Sequence, residues 1–257
     1  MKRQLAILFT ALFAMNSYAA LHTESVEYKQ GDTTLEGYVA YDDSVKGPRP
    51  AVLVVHDWLG CDSYAKMRAD MLAKLGYVAF AADIYGKGVR PKAPDEAMAQ
   101  VKKYKGDRTL LRARVNAALS MLKKREECDP KRVAAIGYCF GGTTVLELAR
   151  TGADINGIVT FHGGLDTPTR DAKNIKCKVL ICHGADDPYV PATDVAALQD
   201  ELRAAGVDWQ MIYYSGAVHA FTRPDAGSDN SKGAAYNEKA DKRSWEAMKQ
   251  FFDEIFR

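Results

Sequence analysis

From Ala51 onward the sequence alternates short, unbroken apolar runs with stretches of helical period. The runs are Ala51–His56, Tyr77–Asp83, Arg132–Tyr138, Gly157–His162, Lys178–His183 and Trp209–Tyr214. A run that is apolar at every position has no face to give to water, so each is expected to be a strand covered on both sides. Amphipathic segments lie between them: Ser63–Leu75, a longer stretch over Asp95–Lys124, Thr143–Arg150, Ala192–Ala205 and Glu238–Ile255. This alternation predicts a mostly parallel central sheet with helices on both faces, and a ligand site at the carboxyl ends of the strands. Ahead of it, Ser25–Lys29 and Thr33–Tyr41 alternate with period two around Gly31-Asp32, which predicts an N-terminal antiparallel hairpin. Tyr85–Pro94, with Gly86, Gly88, Pro91 and Pro94, breaks the pattern and is a candidate lid. No repeat or low-complexity linker interrupts the rest, so residues 20–257 are expected to form one domain.

The first 19 residues read differently. Lys2 and Arg3 precede an apolar run from Leu5 to Met15, and Ser17-Tyr18-Ala19 sets small residues where a signal peptidase reads them. The run is shorter than the roughly 18 apolar residues of a membrane span, so export with cleavage after Ala19 is expected, into the periplasm or beyond, with no stable membrane anchor. Without Lys2 and Arg3 the 35 basic residues fall to 33, equal to the 33 acidic ones. Balanced charge without long single-sign blocks argues against a nucleic-acid partner. Export also implies an oxidising compartment, where Cys61, Cys128, Cys139, Cys177 and Cys182 could pair, the odd count leaving at least one thiol free. Cys128 and Cys177, at the sheet end away from the expected site, are one candidate pair; Cys182 is expected in the core.

The sharpest local signal is Gly137-Tyr138-Cys139-Phe140-Gly141-Gly142, between an expected strand and an expected helix. Glycines two before and two after a nucleophile leave room for the tight elbow that lifts its side chain above a sheet, here with cysteine in the usual place of serine. A sulfur at a helix N-terminus is also favoured as thiolate by the backbone dipoles. Two partners follow in the order an α/β-hydrolase uses, each just past a strand: Asp186-Asp187-Pro188 and Gly216-Ala217-Val218-His219. Cys139 is thus the expected nucleophile, His219 the base, and Asp187 or its neighbour Asp186 the acid. Backbone N–H groups of Phe140 and Trp58 are the expected oxyanion hole. His56, His162 and His183 also end strands, but no ligand-spaced pair occurs, so neither metal nor cofactor is expected. Trp245 and Phe251-Phe252 read as core packing.

The chain resembles the dienelactone hydrolase family over nearly all of residues 20–257. The resemblance rests on Val54-Val55-His56-Asp57-Trp58-Leu59-Gly60, Ala82-Asp83-Ile84-Tyr85-Gly86, the cysteine elbow, His183-Gly184-Ala185-Asp186-Asp187-Pro188-Tyr189-Val190-Pro191 and His219-Ala220-Phe221-Thr222-Arg223. It implies an α/β-hydrolase fold and hydrolysis of a carboxylic ester or lactone through a thioester. It selects Asp187 over Asp186. It further implies a contact of Asp57, in place of the family's usual glutamate, with the resting nucleophile. Arg223 matches the family's reader of a substrate carboxylate, so an anionic small molecule is the expected partner of a monomeric enzyme; no counterpart of the family's second arginine is found. The leader departs from the family's cytoplasmic type. Alternatives are a thioesterase or acyltransferase on the same residues, a catalytically inactive binding protein, and a thiol-redox protein, the last disfavoured because C-x-x-C is absent.

Overall fold

The computed structural model describes residues 21–257, so the leader expected over residues 1–19 lies outside the described residues. Among the described residues eight strands form one sheet in the order β1-β2-β4-β3-β5-β6-β7-β8. They are β1 (Leu21–Gln30), β2 (Thr33–Asp42), β3 (Arg49–Val55), β4 (Val78–Ala82), β5 (Cys128–Tyr138), β6 (Gly157–Phe161), β7 (Lys178–Gly184) and β8 (Trp209–Tyr214). β1 and β2 are the expected hairpin, and β2 joins β4 antiparallel. From β4 to β8 every pairing is parallel.

The helices are α1 (Ser63–Ala73), α2 (Pro94–Gly106), α3 (Arg108–Lys123), α4 (Phe140–Arg150), α5 (Ala192–Ala204) and α6 (Glu238–Ile255). Successive strand side chains point to opposite faces, and the core divides accordingly. On one face Leu53, Val55, Phe80, Ile158 and Ile181 pack with Leu111 and Val115 of α3, Val145 and Leu148 of α4 and Leu198 of α5. On the other, Val52, Val54, Val159 and Leu180 pack with Leu72 of α1 and Met248, Phe251 and Phe252 of α6. The α6 set recurs at helical spacing, and full burial of a side chain such as Phe252 contributes about 1.5–3 kcal/mol. Asn237 starts that helix by accepting from the Ala240 amide at 3.1 Å.

Three expectations change. The segment Asp95–Lys124 is two helices rather than one: the chain leaves helical geometry at Asp107 (φ −124°, ψ 82°), whose carboxylate accepts from the Leu110 amide at 2.9 Å and starts α3 afresh. The helix after the elbow begins at Phe140, not Thr143. All five cysteines are free. Cys128 on β5 and Cys177 beside β7 are separated by β6, hence by two strand spacings of about 4.8 Å each, beyond disulfide reach. Tyr85–Pro94, the candidate lid, is tied down. Asp83 accepts from the Tyr85 and Gly86 amides at 3.1 Å each, and Arg90 donates to the Cys61 and Val89 carbonyls at 2.9 and 2.8 Å.

Candidate active site

β5 delivers Cys139 to the carboxyl edge of the sheet and α4 starts at the next residue. Between them Cys139 adopts φ 52°, ψ −112°, a left-handed conformation costing a side-chain-bearing residue about 1–3 kcal/mol. The turn is possible because its flanks carry no side chains. A Cβ on Gly137 would stand 2.0 Å from the Gly141 carbonyl oxygen, and one on Gly141 2.2 Å from that of Val55. The Cys139 amide donates to the Phe161 carbonyl at 3.0 Å, fastening the elbow to β6.

Asp187 lies in the loop after β7 and His219 in the loop after β8. His219 Nε2 is 3.0 Å from Cys139 Sγ, and His219 Nδ1 is 2.8 Å from Asp187 Oδ2. Asp187 Oδ1 accepts from the Tyr189 amide at 2.9 Å, so both oxygens of this buried carboxylate are fixed. Asp186 faces elsewhere, exposed, and accepts from the Gly216 amide at 3.0 Å. The His219 backbone is pinned at both ends, its N–H on the Gly233 carbonyl (3.1 Å) and its carbonyl on the Ala235 N–H (3.0 Å). Burial works against a charged imidazole here, but the Cys139 sulfur and the Asp187 carboxylate outweigh it and push the His219 pKa up to about 10.

The Phe140 amide opens α4, where first-turn N–H groups have no acceptor within the helix, so it is available to a ligand beside the sulfur. Opposite lies the loop after β3. Asp57 Oδ1 accepts from the Leu59 amide at 2.8 Å and folds Trp58 into a tight turn, while the Trp58 carbonyl accepts from the Tyr85 hydroxyl at 3.2 Å.

The remaining expected contacts are not made. Asp57 does not reach the nucleophile: its Oδ2 is taken by Arg223 Nη1, and burial raises its carboxyl pKa while Arg223 opposes the rise. Nor is Arg223 open to a substrate. It is 8% exposed, donates through Nη2 to Asp62 (2.9 Å) and Asp225 (3.1 Å), and sets Nε 2.7 Å from a second Asp225 oxygen. The three histidines at strand ends have separate duties. His56 accepts from the Ile84 amide at 3.2 Å, and His183 packs edge-on against Tyr213 with centroids 5.4 Å apart. His162 touches the site itself: its ring lies 5.3 Å from that of His219, and burial, then the charge of His219, hold its pKa well below the usual histidine value. Its Nε2 is 2.7 Å from Thr222 Oγ1, which is 2.6 Å from the Tyr64 hydroxyl. Beneath them Arg68 donates to the Thr222 carbonyl at 2.7 Å and to Asp241 at 2.6 Å. This chain of polar groups braces the His219 loop from below. Sequence reading missed it because its members come from α1, the loop after β6 and α6; only the nearness of Thr222 to His219 hinted at it. Among the described residues, left-handed backbone outside glycine occurs at Cys139, at His162 (φ 40°) and at Ala220 (φ 58°), all at or beside this site.

A mostly parallel sheet flanked by helices, with a cysteine elbow after β5 and hydrogen-bonded aspartate and histidine after β7 and β8, is an α/β-hydrolase fold. The dienelactone hydrolase family model matches residues 35–256, and the chain belongs to that family. Protein usf of Aquifex pyrophilus is 31% identical over 77% of this chain and 86% of its own length. A carboxymethylenebutenolidase-type protein of Aquifex aeolicus is 29% identical over 89% and 97%. Among solved structures, a dienelactone hydrolase-like promiscuous phosphotriesterase from metagenomic libraries superposes with a TM-score of 0.89 at 45% identity, covering 93% of this chain and all of that one.

Proposed function

We propose that the protein hydrolyses a carboxylic ester or lactone through a cysteine nucleophile. The observation that carries this reading is the unbroken line from Asp187 Oδ2 through His219 to Cys139 Sγ, at 2.8 and 3.0 Å. His219, its pKa raised to about 10, already holds the thiol proton on Nε2 at neutral pH, and the sulfur paired with it attacks the carbonyl carbon. The negative charge that gathers on the carbonyl oxygen is met by the Phe140 and Trp58 amides. Collapse expels the alcohol oxygen, which receives the proton from His219, and leaves a thioester on Cys139. Water, deprotonated by His219, then releases the acid and restores the thiol. Asp187 keeps the imidazole oriented with Nδ1 protonated and offsets its positive form.

The metagenomic phosphotriesterase supports a second reaction at the same site, attack of the sulfur on a phosphotriester phosphorus, because that protein shares 45% of its residues with this chain. A thioesterase or an acyltransferase would use the same residues with another acyl donor or acceptor. Export also belongs to the proposed biology: Lys2, Arg3, the apolar run Leu5–Met15 and Ser17-Tyr18-Ala19 form a leader removed after Ala19.

Intact-mass spectrometry after mixing with 4-nitrophenyl esters tests the central claim. The parent should show a transient acyl adduct on Cys139. Cys139→Ala should show none and should lose at least about a thousandfold in turnover, with an unchanged circular dichroism spectrum. A variant that hydrolyses the best ester at the parent rate would sink the proposal.

A further inference from the structure

Arg223 stands four residues after His219, and its guanidinium is committed within the protein. Nη1 serves Asp57, Nη2 serves Asp62 and Asp225, and Nε serves Asp225 again, leaving one Nη1 hydrogen without a carboxylate. The plane rests 4.9 Å over the Tyr64 ring. Three carboxylates on one guanidinium leave this corner with a formal charge of −2 (one positive, three negative). The partners matter as much as the charge. Asp57 shapes the turn at Trp58, whereas Asp62 caps α1, accepting from the Tyr64 and Ala65 amides at 3.0 and 3.2 Å. Arg223 therefore joins the His219 loop to the loop that holds the Trp58 amide.

We propose, resting on the cysteine-hydrolase reading above, that Arg223 is a positioning residue that latches these two loops, and that the carboxylates gathered on it make the site select uncharged acyl groups over carboxylate-bearing ones. To bind a substrate carboxylate, Arg223 would have to release a carboxylate of its own, and the incoming anion would meet the two that remained. Bidentate recognition has no free fork to use. An anion set on Arg223 beside the two remaining carboxylates, partly shielded from water, is disfavoured by about tenfold or more.

The test compares 4-nitrophenyl butyrate with the mono-4-nitrophenyl ester of succinate, whose acyl group has similar length and carries a carboxylate. In parallel, Cys139 is alkylated with iodoacetamide or iodoacetate, each rate being divided by that of a small free thiol. The parent should favour the butyrate ester by at least about tenfold in kcat/KM, and after normalisation Cys139 should discriminate against iodoacetate to a similar degree. In the double variant Asp62→Asn, Asp225→Asn, which keeps a capping side chain on α1, both preferences should shrink severalfold toward the anion. A circular dichroism spectrum and urea midpoint matching the parent's are required of the double variant, since unfolding would by itself bring the normalised alkylation ratio to unity. Arg223→Gln, which removes the one positive charge of the corner and takes it from −2 to −3, should slow both esters through the loosened latch and should widen the preference for the butyrate ester. A parent that prefers the succinate ester, a double variant that keeps the parent's preference, or an Arg223→Gln variant that turns over the butyrate ester at the parent rate overturns the inference. If no ester turns over, the cysteine-hydrolase reading fails, and the alkylation ratio still decides the pocket's preference: discrimination against iodoacetate upholds it, equal or faster reaction overturns it.

Discussion

Replacing Asp187 by asparagine changes one atom in a buried carboxylate, and the hydrogen bonds around that atom dictate the damage. Asp187 Oδ1 accepts from the Tyr189 amide at 2.9 Å and Oδ2 faces His219 Nδ1 at 2.8 Å. An asparagine that keeps its carbonyl oxygen on the Tyr189 amide must present its NH2 to Nδ1. Nδ1 then becomes an acceptor, the imidazole proton moves to Nε2, and the nitrogen beside Cys139 Sγ can no longer take the thiol proton. The opposite rotamer preserves the tautomer but sets the NH2 against the Tyr189 N–H, leaving buried donors unsatisfied at about 1–3 kcal/mol. In either rotamer the protonated imidazole loses a charged hydrogen bond of about 1.5–3 kcal/mol. Together these amount to about 3–6 kcal/mol; at about 1.4 kcal/mol per tenfold, that is a loss of a hundredfold to ten-thousandfold, centred near a thousandfold. The assay is kcat/KM on a 4-nitrophenyl ester with active-site concentration fixed by burst amplitude, run beside Asp186→Asn, which meets only the exposed Gly216 amide and should stay within tenfold of the parent. The His219 pKa, followed by NMR, should fall from about 10 in Asp187→Asn, because the carboxylate is one of the groups that raise it. An Asp187→Asn enzyme within tenfold of the parent, or the reverse ranking of the two variants, would refute the argument.

Two further outcomes are expected. Gly137→Ala should lower stability by about 3 kcal/mol or more, read as a reduced urea midpoint, since its methyl would lie 2.0 Å from the Gly141 carbonyl oxygen, a backbone atom that cannot swing away; a midpoint equal to the parent's would mean the elbow is looser than described. Protein purified from its native host should begin at Ala20 by N-terminal sequencing, and a chain still starting at Met1 would count against export.

The sheet was legible because strands buried on both sides write themselves as unbroken apolar runs. Ala51 to Val55 is the plainest case, and all five residues are fully buried. The three residues of the Cys139 line could be named because each follows a strand within a few residues, in an order that the fold imposes. Boundaries were harder where two local signals compete. Gly141 and Gly142 read as part of a turn, which points to a helix starting at Thr143; they are instead inside α4, where a Cβ on Gly142 would stand 2.4 Å from Thr160 Oγ1. Gly106-Asp107 carried a stop and a cap, but the helical period on either side hid them. Charge compensation was not legible at all. Arg223 invites a substrate carboxylate when read alone, and its partners Asp57 and Asp62 lie 166 and 161 residues away in sequence, brought to it by the sheet.

The three left-handed residues, Cys139, His162 and Ala220, bear on how this protein could be made hardier. A thermostabilisation campaign that ranked positions by backbone strain would choose these three and offer glycine at each, since glycine accepts such angles freely. The first exchange deletes the sulfur, the second removes the imidazole that packs beside His219, and the third loosens the backbone next to the base. Heat tolerance would then be gained at the expense of turnover, residue for residue. Proline or capping changes in the hairpin and on the outer faces of α2 and α5, at a distance from the elbow, offer the alternative of raising the melting temperature while leaving the strained turn tense.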